Sequence, residues 1–114
     1  MIEYWHNPRC SKSRQGLALL EERGAEIDVR RYLEDAPSLE ELRATQAALG
    51  VSAIDMMRTG EARFKELGLS KSDPDAVLLA AMAENPVLIE RPLAIKGDRA
   101  VIGRPPEDML SLLD

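Results

Sequence analysis

The sequence contains one cysteine and one histidine among its 114 residues. A single cysteine excludes an internal disulfide and a CxxC redox pair. Any redox cycle in this chain must therefore take its other thiols from outside. The aromatic fraction is also low, at 4%, so the core must be built mainly from aliphatic residues and methionine.

Basic residues are fewer than acidic ones, 15 against 20, and long apolar runs are absent. The formal net charge is −5, which argues against a nucleic-acid partner, because binding to phosphates needs a basic surface. No apolar run approaches the roughly 18 residues that cross a bilayer, and the first residues carry no targeting pattern. We therefore expect no membrane segment and a cytoplasmic location.

The remaining composition is that of one folded domain. With 45% hydrophobic and 31% charged residues, the chain has an ordinary globular composition and disorder is not expected. A chain of 114 residues is long enough for one hydrophobic core. We predict a single domain over residues 1–114.

Hydrophobic periodicity predicts a β-α-β start. Residues 2–5 are typical of a strand. A helical pattern begins at Ser11 and ends near Gly24, a residue suited to the left-handed end of a helix. The alternation from Ile27 toward Leu33 predicts a second strand. A strand, a helix and a second strand in this order indicate a right-handed crossover.

The middle of the chain, about residues 38–86, is predicted to be a helical insertion. Ser38 followed by Glu41 is a capping-box pattern, which opens the first helix of the insertion. Asp73 is predicted as the N-cap of a later helix that runs through Met82. The insertion contains neither repeats nor low-complexity sequence.

The end of the chain predicts a β-hairpin and a closing helix. Residues 93–95 and 100–102 flank a turn that contains glycine, and Met109, Leu110 and Leu113 follow as the apolar residues of a helix. The order β-α-β, helices, β-β-α is typical of a thioredoxin-like domain. We therefore predict an α/β fold: a thioredoxin-like mixed β-sheet flanked by helices, with the helical insertion between its two parts.

The cysteine lies in the segment HNPRCSKSR, residues 6–14, between the first strand and the first helix. The first turn of a helix has unpaired N–H groups and the positive end of the helix dipole, and both stabilise a thiolate. Neighbouring side chains add charge and hydrogen-bond donors: His6, Arg9, Ser11, Lys12, Ser13 and Arg14. A lone cysteine in a cytosolic protein is more often a small buried hydrophobic residue. A cysteine of that kind would not need the charged and polar neighbours that surround Cys10. We predict that Cys10 is a reactive thiolate.

Three arginines stand at chain breaks instead of on regular helix faces: Arg58, Arg91 and Arg104. Arg91 and Arg104 each precede a proline, which confines their backbone to extended conformations. Taken singly, each arginine is most often a surface charge. Together with Cys10 they predict a site for a tetrahedral oxyanion, because guanidinium groups offset the charges of the anion and of an attacking thiolate and bind oxygens in pairs.

At these residues the chain resembles the glutaredoxin-coupled arsenate reductases, a family with a thioredoxin-like fold. HNPRCSKSR is similar to the family's active-site loop, and three arginine-bearing segments also match: MMRTGEARFKELGL, ERPLAI and IGRPPE. The resemblance runs from Ile2 to about Leu113, and the length is that of the shorter chromosomal members. It also implies a cis peptide bond before Pro92.

The resemblance implies a role for each residue of the site. Cys10 is expected to be the nucleophile, and His6 to be the histidine that helps to ionise it. Four further residues are predicted to bind the oxyanion: Ser13, Arg58, Arg91 and Arg104.

The resemblance also implies a reaction cycle that converts arsenate into arsenite. Cys10 attacks arsenate, glutathione adds to the adduct, and glutaredoxin removes the glutathione while arsenic is reduced. Glutathione is thus expected as a co-substrate and glutaredoxin as a partner. No metal and no tightly bound cofactor are expected.

Two other functions are compatible with the sequence. A glutathione-dependent thiol reductase of another substrate would use the arginines to hold the carboxylates of glutathione. A redox regulatory protein of the Spx type shares this fold and contacts RNA polymerase. Such sensors typically carry CxxC, and here Ser13 occupies the second position, so a disulfide switch is not available.

Overall fold

A computed structural model describes residues 1–114, which form two compact units. The first unit contains residues 1–35 and 91–114, and the second contains residues 36–90. The predicted insertion, residues 38–86, lies within the second unit, and the assignment of residues 1–114 to a single domain stays a prediction. None of the helices combines the length and the apolar character that crossing a membrane requires.

The first unit is built on a four-stranded mixed sheet with the strand order β2-β1-β3-β4. β1 pairs in parallel with β2, and β1–β3 and β3–β4 are antiparallel pairs. The predicted α/β class is therefore confirmed. The elements of this unit are β1 (Ile2–Trp5), α1 (Ser11–Glu22), β2 (Ile27–Arg30), β3 (Leu93–Lys96), β4 (Arg99–Ile102) and a 3₁₀ helix (Pro106–Leu113).

A hydrophobic core in the first unit joins β1 and β3 to α1 and the closing 3₁₀ helix. Side chains on a strand alternate between the two faces of the sheet, and Ile2 and Tyr4 of β1 both belong to this core. Burying a large apolar side chain contributes about 1.5–3 kcal/mol, so this core fixes α1 against β1. Its buried residues are Ile2, Tyr4, Leu20, Ala94, Met109 and Leu112.

Helix α1 begins and ends where the sequence predicts. Cys10 is the N-cap, with an extended backbone (φ −93°, ψ 121°), and Ser11 is the first helical residue. At the other end, Gly24 has a φ of 73°, and its N–H donates to the carbonyl oxygen of Glu21 at 3.0 Å. Glycine adopts this left-handed conformation without steric cost. The helix therefore stops after Glu22, and the chain turns toward β2.

The second unit is helical. The capping box is confirmed: the Ser38 hydroxyl accepts from the Glu41 N–H at 3.1 Å, and the Glu41 carboxylate accepts from the Ser38 N–H at 3.0 Å. Both bonds satisfy N–H groups that the helix cannot pair itself. The elements are α2 (Leu39–Leu49), a 3₁₀ helix (Ala53–Met56), α3 (Ala62–Glu66), α4 (Asp75–Glu84) and a second 3₁₀ helix (Pro86–Leu88).

The predicted N-cap of the later helix is wrong by one position. Pro74 is the N-cap, and α4 begins at Asp75. The carboxylate of Asp73 accepts instead from the Ser70 N–H at 2.9 Å, within the preceding turn. Aspartate serves in turns and at caps for the same reason, since its carboxylate binds a nearby backbone N–H.

One boundary and one helix type in the first unit also differ from the prediction. β2 ends at Arg30 and does not continue to Leu33, because the N–H groups of Glu34 and Asp35 both donate to the Arg31 carbonyl oxygen and form a turn. The closing segment is a 3₁₀ helix and not an α-helix.

Candidate functional site

Cys10 lies at the junction between the loop after β1 and helix α1. Its N–H donates to the Asn7 carbonyl oxygen at 3.0 Å, and its own carbonyl oxygen accepts from the Arg14 N–H at 3.0 Å. The Asn7 side-chain oxygen accepts from the Arg9 N–H at 3.0 Å. These local bonds fix the turn that the sequence predicted, and the thiol of Cys10 is free and half-buried.

The surroundings of Cys10 favour its ionised form. Burial raises the pKa of the thiol. Three neighbours lower the pKa by a larger amount: the Ser13 backbone N–H through a hydrogen bond, Arg91 through its charge and a hydrogen bond, and the Lys12 backbone N–H. The pKa of Cys10 is therefore below its ordinary value. The backbone donors are the unpaired N–H groups of the first turn of α1. The lowered pKa agrees in direction with the sequence-based expectation, and the reactivity of Cys10 stays a prediction.

Ser13 is fully buried, and its side chain binds the loop that precedes α1. The hydroxyl oxygen accepts from the Asn7 N–H at 3.0 Å and lies 2.7 Å from His6 Nδ1. The phenol of Tyr4 donates to the Ser13 carbonyl oxygen at 2.6 Å. Ser13 therefore acts on Cys10 through its backbone N–H. The predicted contact of Ser13 with an oxyanion stays a prediction.

His6 is buried beside Tyr4 and Ser13. Burial lowers the pKa of His6, the charges of Arg31 and Arg14 lower it further, and Glu21 acts in the opposite direction. The imidazole is therefore neutral near pH 7. Its visible contribution is the hydrogen bond to Ser13, and its predicted part in ionising Cys10 stays a prediction.

The structure brings two of the predicted arginines together, and one of them, Arg91, acts on the thiol. Arg91, directly before β3, donates a hydrogen bond to Cys10. Arg104, directly after β4, is exposed, and its Nε donates to the Arg91 carbonyl oxygen at 2.9 Å. The peptide bond before Pro92 is cis, as the resemblance implies, and the bond before Pro105 is cis as well. The antiparallel pairing of β3 with β4 explains why these distant residues meet.

Comparison with known proteins assigns the chain to a family. The model of the ArsC family matches residues 5–112. The chain belongs to the ArsC family. The arsenate reductase of Neisseria meningitidis is 46% identical over 114 residues, which cover 98% of this chain and 97% of that protein. The arsenate reductase of Haemophilus influenzae is 45% identical over 111 residues, 96% of each chain.

Solved structures of ArsC-family relatives share the architecture. An arsenate reductase from Vibrio cholerae superposes with a TM-score of 0.93 at 47% identity and covers 97% of this chain and 96% of that chain. The thioredoxin-like fold predicted from the element order is therefore confirmed.

Arg58, the third predicted arginine of this ArsC-family chain, lies in the second unit. Its side chain forms an ion pair with Glu61, with 3.3 Å between Arg58 Nη2 and Glu61 Oε2, and its N–H donates to the Leu88 carbonyl oxygen at 2.8 Å. The ion pair orients the guanidinium group. Its predicted role in binding an oxyanion stays a prediction.

The other cations of the ArsC-family loop are exposed: Arg9, Lys12 and Arg14. Arg14 Nη1 donates to the Pro8 carbonyl oxygen at 2.8 Å, which ties the helix to the loop. No group of three or more histidine, cysteine, aspartate or glutamate side chains is arranged to hold a metal ion.

Sequence reasoning did not identify Tyr4 as part of the site. Its phenol contacts the residue whose N–H binds Cys10. The available signal was a large polar aromatic residue on the strand that immediately precedes the loop.

Proposed function

We propose that this chain reduces arsenate to arsenite with Cys10 as the nucleophile, glutathione as the co-substrate and glutaredoxin as the partner that completes the cycle. The observation that carries the proposal is the thiolate-stabilising setting of Cys10, with two backbone N–H groups and Arg91 acting on one sulfur. The arsenate reductases among its full-length relatives support the same reaction.

Positive charge is what lets two anions react in this site. Arsenate and a thiolate repel one another unless cations lie between or beside them. Arg91 already binds the sulfur, and Arg104 is held next to Arg91 by the hydrogen bond to its carbonyl oxygen. Guanidinium groups present pairs of N–H donors that match the spacing of oxyanion oxygens. In this proposal Arg91 and Arg104 bind arsenate, and Arg58 supplies the third guanidinium group.

The first half of the cycle forms two bonds to arsenic without changing its oxidation state. The Cys10 thiolate attacks arsenic, an arsenate oxygen leaves as water after protonation, and a sulfur–arsenic(V) bond forms. The thiol of glutathione then displaces a second oxygen as water. His6, neutral and bonded to Ser13, holds the loop in place during these steps and contributes no charge.

The second half transfers two electrons. A glutaredoxin thiolate attacks the sulfur of the bound glutathione and forms a mixed disulfide, and the electron pair of the broken sulfur–arsenic bond reduces arsenic(V) to arsenic(III). Water then cleaves the Cys10–arsenic(III) bond, which releases arsenite and regenerates the thiol. The single cysteine requires this outside source of thiols. A cytoplasmic location follows in the proposal, because glutathione is kept reduced there.

The test is a turnover assay with arsenate, glutathione, glutaredoxin, glutathione reductase and NADPH, in which each component is omitted in turn. We expect NADPH consumption that requires arsenate, both thiol components and the chain itself. Cys10→Ser should abolish turnover, because serine remains protonated and is a poor nucleophile for arsenic. Arsenite formation, measured directly, must match the NADPH consumed.

Other results would assign a different function. Reduction of a glutathione mixed disulfide without arsenate, together with no arsenite formation, would indicate a general thiol reductase. Absence of any turnover in the complete mixture would contradict the enzyme proposal and would favour a regulatory protein.

A further inference from the structure

Tyr4 has no part in the reaction steps above, yet it contacts the first turn of α1 from β1. Its side chain is 0% exposed, and its phenol donates to the Ser13 carbonyl oxygen at 2.6 Å. Burial raises the pKa of Tyr4 well above its ordinary value. The phenol is therefore protonated at every pH at which the protein works, and it remains a hydrogen-bond donor.

Gly16 provides the space that the phenol occupies. A Cβ atom at position 16 would lie 2.5 Å from the Tyr4 hydroxyl oxygen and would overlap Met109 Cε. Glycine inside a helix costs roughly 0.5–1 kcal/mol relative to alanine, so a glycine in the second turn of α1 needs a packing reason. The close approach of Tyr4 and Met109 to the helix backbone is that reason.

Ser13 is held by three neighbours that all come from residues 4–7. Tyr4 binds its carbonyl oxygen, and His6 and Asn7 bind its hydroxyl. The N–H of the same residue donates to Cys10. Because a hydrogen bond weakens steeply when its angle is distorted, the contacts that fix Ser13 also decide how well this N–H stabilises the thiolate.

We propose that Tyr4 is a positioning residue for the Cys10 nucleophile: its hydroxyl, admitted by Gly16, holds Ser13 so that the Ser13 N–H points at the sulfur. The kinetic consequence of this role rests on the proposed function. The effect of Tyr4 on the ionisation of Cys10 is independent of the proposed function, because it can be measured on the protein without any substrate.

The groups that act on the sulfur come from three elements. Arg91, which precedes β3, and the backbone N–H groups of Lys12 and Ser13 in α1 act on it directly, whereas Tyr4 of β1 acts through Ser13. The change Tyr4→Phe keeps the ring in the core and leaves Arg91 in place. It removes the hydrogen bond to the Ser13 carbonyl oxygen and no charge.

The experiment measures alkylation of Cys10 by iodoacetamide against pH in Tyr4→Phe. We expect the midpoint of the profile to move to higher pH and the rate at low pH to fall roughly threefold to tenfold, the loss that one hydrogen bond of ordinary strength predicts. In the turnover assay at the same low pH, kcat should fall by a similar factor, while KM for arsenate stays within about twofold, because the arginines are intact.

Two further variants separate the positioning of Ser13 from a general loss of core stability. Leu20→Val removes a methylene from the same core and the same helix, so it should lower the Tm without moving the alkylation midpoint. Gly16→Ala should displace the phenol and move the midpoint in the same direction as Tyr4→Phe. In the Tyr4→Phe background the same glycine change should add little further shift, because the hydroxyl is already absent.

The outcomes distinguish this inference from the proposed function. A Tyr4→Phe midpoint equal to that of the parent, with a lowered Tm, would overturn the positioning role and leave a structural one. A midpoint shift of equal size in Leu20→Val would overturn it too. The third outcome is a shifted alkylation midpoint in Tyr4→Phe together with no arsenite formation by the unsubstituted protein. It would support the positioning of Cys10 by Tyr4 and contradict the arsenate reductase proposal.

Discussion

Replacing Arg91 by methionine is the most direct test of what ionises Cys10. Methionine keeps an unbranched chain of similar length and removes both the charge and the hydrogen-bond donors. Burial alone raises the pKa of Cys10, so the depressed pKa depends on Arg91 and on the N–H groups of Ser13 and Lys12. Without Arg91 we expect the pKa of the thiol to rise.

The size of the effect follows from the type of contact that is lost. A hydrogen bond to a charged group contributes about 1.5–3 kcal/mol. Cys10 is half-buried and water screens part of this interaction, so the lower part of that range, about 1.5–2 kcal/mol, applies. This corresponds to a thiolate population roughly tenfold to thirtyfold smaller at a pH below the thiol pKa.

The assay is the rate of iodoacetamide alkylation of Cys10 between pH 5 and 9, followed by mass spectrometry. Arg91→Lys should give an intermediate profile, since it keeps the charge and loses the paired donors. Arg23→Ala is the matched control, because this exposed arginine lies at the far end of α1, about 20 Å along the helix from Cys10. If the profiles of Arg91→Met and the parent superimpose, Arg91 does not stabilise the thiolate and the reasoning is refuted.

Two further predictions concern stability. Burial and the charges of Arg31 and Arg14 lower the pKa of His6, so the unfolded chain, with a histidine pKa near 6.5, takes up the proton first as pH falls. His6 therefore contributes stability that is present above about pH 6.5 and is lost as pH falls through its folded pKa. His6→Gln should make the urea midpoint of unfolding depend less on pH between pH 7 and 5. An unchanged slope of the urea midpoint against pH would contradict this. Ser38→Ala removes the cap of α2 and should lower the free energy of unfolding by about 1 kcal/mol. Ser52→Ala, at a helix start with no side-chain cap bond, should leave it unchanged. Equal losses of unfolding free energy in both variants would show that the capping bond is not the cause.

The features that the sequence predicted well are those set by neighbouring residues. The start of α1 at Ser11 and the end before Gly24 depend on local backbone chemistry, and so does the capping box at Ser38. The hairpin between β3 and β4 has a glycine with a φ of 62° in its turn. Each of these signals acts within a few residues, so a single sequence contains it in full.

The features that the sequence did not predict depend on competition between alternatives or on distant contacts. Asp73 suits a cap and a turn equally well, and its bond to Ser70 decides between them. His6 could be charged or neutral from its type alone, and burial beside Arg31 and Arg14 makes it neutral. The contact of Tyr4 with α1 exists only after β1 and the helix have packed together.

The combination of a half-buried thiol of lowered pKa with a single cysteine has a consequence for oxidative stress. Peroxide converts accessible thiolates to sulfenic acids, and many proteins protect that state by forming a disulfide with a second cysteine. This polypeptide has no such resolving residue, so a sulfenate at Cys10 persists until a thiol from solution reduces it or further oxidation makes the damage irreversible.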